Sequence, residues 1–242
     1  AGHSWSLNGY PMRSGGLSYE LEGEEVVEGF FRDYFAYVGN SEVPDIFHRW
    51  TALSVAAALL GRQAWFEFGP NNIYPNLLIL LQGPAAARKS TAIKIGTRLL
   101  QRTGYTRFAS ERMSRQTFLD EMHRINQPET MGVPLEEQFD MDLDYPNEMT
   151  IHALEFIDFI GQNDKDYLAL LTTLYDNLPQ YANPKMSSKS VVVRKPTINL
   201  LGAATPENLN MAFPPNAMDT GTFSRILFVY ADKVQRRMLI PD

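Results

Sequence analysis

The feature that most constrains the fold is an apolar run that leads into a short loop and then into a helical pattern. Residues 76–81 have the composition of a strand that is buried on both faces of a parallel sheet. The loop reads Gly-Pro-Ala-Ala-Ala-Arg over residues 83–88 and is followed by Lys89 and Ser90. Apolar residues then recur at helical spacing from Thr91 onward. Strand, tight loop, Lys-Ser and helix is the order of a phosphate-binding P-loop.

The P-loop interpretation gives each part of this stretch a chemical role. Loop amides and the N-terminus of the helix would face phosphates, Lys89 would reach the β- and γ-oxygens, and Ser90 would hold Mg²⁺. We therefore predict ATP and Mg²⁺ as the cofactors. The predicted nucleotide-binding residues are Gly83, Pro84, Ala85, Ala86, Ala87, Arg88, Lys89, Ser90 and Thr91.

Arg88 occupies the position where a loop of this type usually has its second glycine. Glycine there lets the backbone approach the phosphates without an intervening side chain. We therefore expect Arg88 to have a negative φ and a side chain that points outward. The alternative interpretation is an ordinary strand-turn-helix in which Lys-Ser occurs by accident.

Length and composition restrict the classes of protein that remain. A chain of 242 residues can form one α/β domain with a sizeable core, or a domain with a small appendage. The absence of cysteine excludes disulfides, thiolate metal sites and a cysteine nucleophile, and it suits a reducing compartment. No apolar run approaches the roughly 20 residues that span a bilayer. We expect a cytoplasmic protein without membrane partners, located in the host cytoplasm if the chain is viral.

The net charge of −6 conceals segments of opposite charge. Residues 88–124 carry nine Lys or Arg against three acids, whereas residues 129–166 carry eleven acids against one Lys. Residues 185–237 are again basic, with eight bases and three acids. Local basic faces can follow a nucleic-acid backbone, although solvated helix faces would give the same pattern. The candidate DNA contacts are Arg112, Arg115, Lys185 and Lys189.

The first 72 residues are predicted to be a lead-in and a helical extension, and residues 73–242 a P-loop ATPase core. Helices are expected over 24–38 and 45–60. A short strand over 64–68 and a turn at 69–72 predict a hairpin element. The apolar stripe that should face the core on the second helix consists of Trp50, Leu53, Ala56, Ala57 and Leu60.

A second buried strand is predicted over residues 149–154, and it ends at Glu155. In P-loop ATPases, carboxylates at such a strand end order Mg²⁺ and polarise the attacking water. We predict Glu155 as the catalytic and metal-facing acid, with Asp158 as the alternative. His152, in the middle of the strand, is expected to be a core residue. Residues 106–109 are a candidate for a further strand of the sheet.

Two later strands supply the remaining candidate residues. The strand over 197–204 ends at Thr205, a small polar residue that can hydrogen-bond the γ-phosphate or the attacking water. Arg225 immediately precedes a strongly apolar strand. An arginine in that place is usually structural, but it could serve as an arginine finger for a neighbouring subunit.

Taken together, these motifs resemble a group of phage and mobile-element P-loop ATPases that are similar to replicative helicases. The resemblance depends on residues 74–77 leading into 83–91, on Glu155, and on 201–206 and 224–228. The last two segments look like the sensor-1 strand and the Ser-Arg-Phe arginine-finger segment of AAA+ proteins such as minichromosome-maintenance helicases.

The resemblance implies an ATP-driven homo-oligomeric ring, commonly hexameric, that translocates on DNA or remodels it. It implies that Lys89 and Ser90 contact the nucleotide and Mg²⁺ and that Glu155 is the hydrolytic acid. By the same resemblance Thr205 would be the sensor, and Arg225 would act across a subunit interface.

We therefore predict an α/β fold: a three-layer P-loop NTPase core with a mainly parallel sheet and an N-terminal helical extension. The predicted function is that of an oligomeric ATPase motor on DNA. A nucleotide-binding adaptor or assembly protein with weak ATPase activity is the main alternative, favoured by Arg88 and by the lone carboxylate at Glu155. A P-loop kinase is a further alternative, but it would need an arginine-rich lid.

Overall fold

The computed structural model describes residues 23–125, 145–183, 191–213, 215 and 221–232. Its first elements are two helices and a hairpin, as the sequence predicts for this region. They are α1 (Gly23–Tyr37), α2 (Asp45–Leu60), β1 (Phe66–Phe68) and β2 (Asn71–Ile73). A short 3₁₀ turn, Gly61–Gln63, joins α2 to the hairpin.

The rest of the described chain alternates between strands and helices. The elements in order are β3 (Leu78–Gln82), α3 (Lys89–Arg102), α4 (Arg115–Arg124), β4 (Glu148–Ala153), α5 (Phe156–Ile160), α6 (Lys165–Tyr175), β5 (Gln180–Asn183), β6 (Val191–Arg194), β7 (Thr197–Ala204), α7 (Pro206–Ala212) and β8 (Ile226–Tyr230). Strands β5 and β6 form a separate antiparallel pair.

The central sheet has four parallel strands in the order β4-β7-β3-β8. Strand β7 therefore lies between β3, which leads into the predicted P-loop, and β4, which leads to Glu155. The segment predicted as a further strand contributes a single bridge, from Phe108 to Thr150. The N–H of Ala109 donates to the carbonyl of Thr150 at 2.9 Å, so this segment runs beside β4 without forming a longer strand.

Alternate residues of β3 face two separate clusters, one on each side of the sheet. Leu78 and Leu80 pack in the cluster formed with helices α4 to α7. Ile79 and Leu81 pack on the opposite side, together with Phe47 of α2 and Ile93 of α3. The sheet is thus flanked by helices on both faces, which confirms the prediction of an α/β fold with a parallel sheet. Because Phe47 belongs to this core, α2 packs on the sheet; the proposed boundary after residue 72 stays a prediction.

The prediction of which face of α2 is buried is right for part of the stripe and wrong for the rest. Ala57 is buried and Trp50 packs partly buried against the core, whereas Leu53 and Leu60 are exposed. The buried residues of α2 are Phe47, His48, Thr51, Ala52, Ser54, Val55, Ala57 and Ala58. Most of these side chains are small, because α2 crosses α3 closely: a Cβ added at Gly96 would lie 2.9 Å from Thr51 Cγ2.

No helix among the described residues is both long enough and apolar enough to cross a bilayer.

Candidate functional site

The loop between β3 and α3 is held in an unusual backbone conformation. Gly83 cannot be replaced without movement, because an added Cβ would overlap the carbonyl oxygen of Ala231. Ala86 and Arg88 both have left-handed φ angles, of 66° and 61°. Such angles cost non-glycine residues on the order of 1–3 kcal/mol each and persist only where surrounding contacts enforce them. The loop is therefore a strained segment immediately before the N-terminus of a 14-residue helix.

Lys89 is the buried charge of this loop. Its side chain turns back into the loop, where Nζ donates to the carbonyl oxygens of Gly83 at 2.7 Å and Pro84 at 2.8 Å. The residue is only 6% exposed. Burial lowers the pKa of Lys89, and the carboxylates of Glu155 and Glu207 oppose that effect. An ammonium group at this point is suited to bind an anion that enters the loop.

Three of the predicted site segments meet at the carboxyl edge of the sheet, meaning the end where the parallel strands finish. The loop follows β3, Glu155 follows β4 and Thr205 follows β7. Ser90 Oγ donates to the carbonyl of Leu154 at 3.4 Å, so the start of α3 lies beside the end of β4. The topology thus brings Lys89, Ser90 and Glu155 to one place.

Glu155 is exposed at the N-terminus of α5 and has a partner that sequence reasoning missed. Asn208 Nδ2 donates to Glu155 Oε2 at 3.3 Å. Thr205 caps the helix that carries Asn208, because its Oγ1 accepts a hydrogen bond from the Asn208 N–H at 3.2 Å. The hydroxyl predicted as a sensor therefore already has a structural task.

Asn208 and Glu207 had a weak signal in the sequence. Thr205-Pro206-Glu207 is a typical helix start, with an N-cap threonine, proline at the first position and an acid in the first turn. A helix that starts at the end of β7 must place its first turn over the carboxyl edge. What the sequence could not give was the position of β7 beside β4, which brings that turn to Glu155.

The alternative acid, Asp158, is engaged elsewhere. Its Oδ2 accepts from Arg112 Nη2 at 2.8 Å, and both side chains are largely exposed. Leu154, which precedes Glu155, packs partly buried against the core. Of the two acids predicted after β4, Glu155 is therefore the one that follows the strand end directly, beside the start of α3.

Arg225 lies at the opposite, amino edge of the sheet. Ile226 pairs with Leu78, the first residue of β3, so Arg225 is one strand length from the loop, about 16 Å for five residues. Its Nε and Nη2 donate to the two carboxylate oxygens of Asp176 at 2.7 and 2.8 Å. These hydrogen bonds raise the pKa of Arg225. Within one chain, Arg225 is thus not brought together with Lys89.

The expectation of a negative φ at Arg88 is wrong, since this residue has the left-handed angle that glycine favours. The expectation that its side chain points outward is confirmed. The guanidinium pairs with Glu42, which lies between α1 and α2.

The candidate DNA contacts are partly neutralised. Arg112 pairs with Asp158, and Arg115 Nη1 lies 2.8 Å from Asp166 Oδ2. Lys185 and Lys189 lie outside the described residues. The described basic segment is therefore less positive in space than its sequence indicates.

The oxygens at the carboxyl edge determine how a cation could be held there. Within the described ranges, no group of three or more His, Asp or Glu side chains could hold a metal ion. Mg²⁺ usually binds through one or two protein oxygens together with substrate phosphates, and Ser90 and Glu155 can supply such oxygens.

Comparison of the chain with models of protein families and with curated proteins finds no match.

Proposed function

We propose that this chain is an ATP-hydrolysing subunit of an oligomeric motor that acts on DNA. The observation that carries the proposal is the buried ammonium of Lys89, directed into a strained loop at the N-terminus of α3. A positive charge, loop amides and a helix N-terminus together form an environment that favours phosphate. The exposed carboxylate of Glu155 at the same sheet edge adds an acid to that environment.

The proposed chemistry is hydrolysis of the γ-phosphoryl group. Water attacks the γ-phosphorus, the bond from that phosphorus to the bridging oxygen breaks, ADP leaves with that oxygen, and inorganic phosphate is formed. Lys89 would neutralise charge on the phosphate oxygens, and Glu155 would orient the water and accept its proton. Mg²⁺, held by Ser90 and Glu155, would supply further positive charge to the phosphates.

The location of Arg225 supports a role across a subunit contact. Because that residue lies at the amino edge, it could reach a γ-phosphate only in a neighbouring subunit. For this, the pair with Asp176 and the hydrogen bond from Nη1 to the carbonyl of Gly221 would have to open. In the proposed homo-oligomeric ring, hydrolysis would depend on subunit contact, and DNA would be the track for the motor.

A second function, that of a nucleotide-binding adaptor with weak ATPase activity, is favoured by two observations. Leu154 stands where a second strand-end acid would be expected. The ammonium of Lys89 is bound to loop carbonyls, so phosphate binding would have to displace those hydrogen bonds.

The test is ATP turnover as a function of protein concentration, with and without single-stranded DNA. We expect turnover to rise cooperatively with concentration, to increase with DNA, and to be lost in Lys89→Ala. Lys94→Ala, an exposed lysine on the same helix, is the matched control and should keep its turnover. Tight ATP binding with negligible turnover in every condition would favour the adaptor, and equal binding by Lys89→Ala and wild type would remove the P-loop interpretation.

A second experiment tests the motor itself. Mixing Arg225→Ala subunits with Lys89→Ala subunits should restore part of the turnover, because some interfaces would combine an intact loop with an intact arginine. DNA binding should weaken steeply with salt if phosphates are contacted. Recovery at no mixing ratio would contradict the role of Arg225, and a flat salt response would contradict DNA binding.

A further inference from the structure

Arg88 forms an ion pair with a carboxylate that is otherwise buried. The side chain of Glu42 is 9% exposed, whereas the side chain of Arg88 is 46% exposed. Removing Arg88 would take a partner from the buried carboxylate of Glu42, whereas removing Glu42 would leave a half-exposed guanidinium that water can solvate. The pair therefore restricts where both side chains can lie.

Arg88 needs an external contact to keep its backbone conformation, whereas a glycine at this position would not. Its φ of 61° is in the left-handed region, and Ala86, two residues earlier, has a φ of 66°. A glycine adopts these angles without a Cβ penalty, whereas arginine must be held in them by its surroundings. Pairing with Glu42 also fixes the end of the long side chain, which makes no capping hydrogen bond to α3.

Glu42 is itself fixed to the core on which the loop is built. The next residue, Val43, is buried in the same cluster as Ala87 of the loop and Ala92 of α3. Phe47, in the first turns of α2, belongs to that cluster as well. The anchor and the loop thus contact the same packed cluster. A displacement at Glu42 would therefore reach the loop through contacts within this cluster.

We propose that Arg88 is a positioning residue which, anchored by Glu42, holds the P-loop in its phosphate-binding conformation. The ion pair would replace the conformational freedom that glycine provides at this position. This inference rests on the proposed function, because it assumes that the loop binds a nucleotide. It makes nucleotide affinity depend on Glu42, a residue placed in the N-terminal segment and not in the loop.

The test is a double-mutant cycle on the affinity for a fluorescent ATP analogue, using the full chain. We expect Glu42→Gln to weaken binding about tenfold, the effect of losing roughly one charge-assisted contact. In an Arg88→Gly background, where glycine adopts the angle unaided, the same Glu42→Gln change should alter affinity less than about twofold. With Arg88 present, Glu42→Gln should raise the KM for ATP by a similar factor, with a much smaller change in kcat. Glu67→Gln, at an exposed position in β1, is the matched control and should bind normally.

Each outcome either supports or overturns the inference. Equal weakening in both backgrounds would mean that Glu42 acts independently of Arg88. Tighter binding by Glu42→Gln would mean that Arg88, once it is released from the carboxylate, contacts the phosphate directly. Both results overturn it.

Two further variants separate folding and function from positioning. If Glu42→Gln does not fold, Arg88→Lys keeps the charge but lacks the planar fork, and it should weaken binding by an intermediate amount; unchanged affinity would overturn the inference. Lys89→Ala tests the proposed function separately. If Lys89→Ala loses binding while the cycle is additive, only the positioning role of Arg88 fails.

Discussion

The two edges of the central sheet are built in opposite ways. At the amino edge, Glu148 is buried and both of its oxygens are used: the Arg62 N–H donates to Oε1 and Arg107 Nη1 pairs with Oε2, each at 2.6 Å. At the carboxyl edge, Glu155 is exposed and accepts a hydrogen bond of 3.3 Å from Asn208. One carboxylate is locked into the structure, and the other faces solvent.

The difference extends beyond the carboxylates. Asn147, at the amino edge, accepts from the Arg194 N–H at 2.7 Å and donates to the carbonyl of Met122 at 2.9 Å. The carboxyl edge carries two left-handed residues, Ala86 and Arg88, and left-handed residues also occur beside the start of β7, at the amino edge. What distinguishes the amino edge is its set of satisfied buried polar groups, which rigidify a structure. The comparison indicates that bonded, buried polar groups stabilise the amino edge, whereas the carboxyl edge presents an exposed carboxylate that a ligand can reach.

The largest effect should come from breaking the amino edge. In Glu148→Gln the amide oxygen could still accept from the Arg62 N–H, but the Arg107 guanidinium, which is 26% exposed, would lose its carboxylate partner. We expect a loss of about 2–3 kcal/mol in the free energy of unfolding. Denaturant unfolding measures this loss. Asp158→Asn removes an exposed ion pair and should cost no more than about 1 kcal/mol. A loss below about 1 kcal/mol for Glu148→Gln would contradict the assignment of stability to this edge.

Acid should lower the stability of the fold through two buried histidines, His48 in α2 and His152 in β4. Burial lowers the pKa of His48 and of His152 to about 4. Their Nε2 atoms have no hydrogen-bond partner within the described part of the chain. Since the unfolded chain takes up protons from about pH 6.5 downward and the folded protein only near pH 4, stability should fall as pH drops through this window.

The expected slope is at most about 1.4 kcal/mol per pH unit for each histidine. Urea unfolding between pH 7 and pH 5 measures it. His48→Gln cannot titrate and should reduce the slope by up to half. A stability that is constant over this range would contradict the buried neutral state of both rings.

Asn208→Ala tests the carboxyl edge with a smaller effect. If Asn208 positions Glu155, its loss should lower kcat about tenfold, with little change in KM and in stability. Steady-state kinetics separates the two constants. Asn210→Ala, an exposed asparagine on the same helix, is the control. Equal kcat values for the two variants would show that the Asn208 contact is unimportant for turnover.

Two substitutions of Thr205 separate its capping role from its predicted role as a sensor. Thr205→Ala removes the N-cap of α7 and should cost about 1 kcal/mol, whereas Thr205→Asn keeps a capping side chain and should cost less. Both variants lack the hydroxyl, so both should lower turnover if Thr205 is also a sensor. Turnover that follows stability, low only in Thr205→Ala, would leave Thr205 as a cap alone.

The sequence alone determined the elements whose signal is local. It predicted the limits of α2 and the succession of β3, loop and α3, because apolar runs, helical spacing and the flanking glycine residues are read over a few positions. It also predicted that Glu155 and Thr205 follow strands. Parallel strands end at the same edge, so the convergence of these residues with Lys89 was within reach of the sequence.

Tertiary structure decided everything that depends on which elements are neighbours. The approach of Asn208 to Glu155 requires β7 to lie beside β4, and the pairing of Arg88 with Glu42 requires the N-terminal segment to pack on α3. The predicted face of α2 was wrong at its leucines because large apolar residues were expected to be buried, whereas a close helix crossing selects small residues such as Ala58. Sheet order and helix-crossing distance are set by the packing of the whole core, and no local stretch of the chain encodes them.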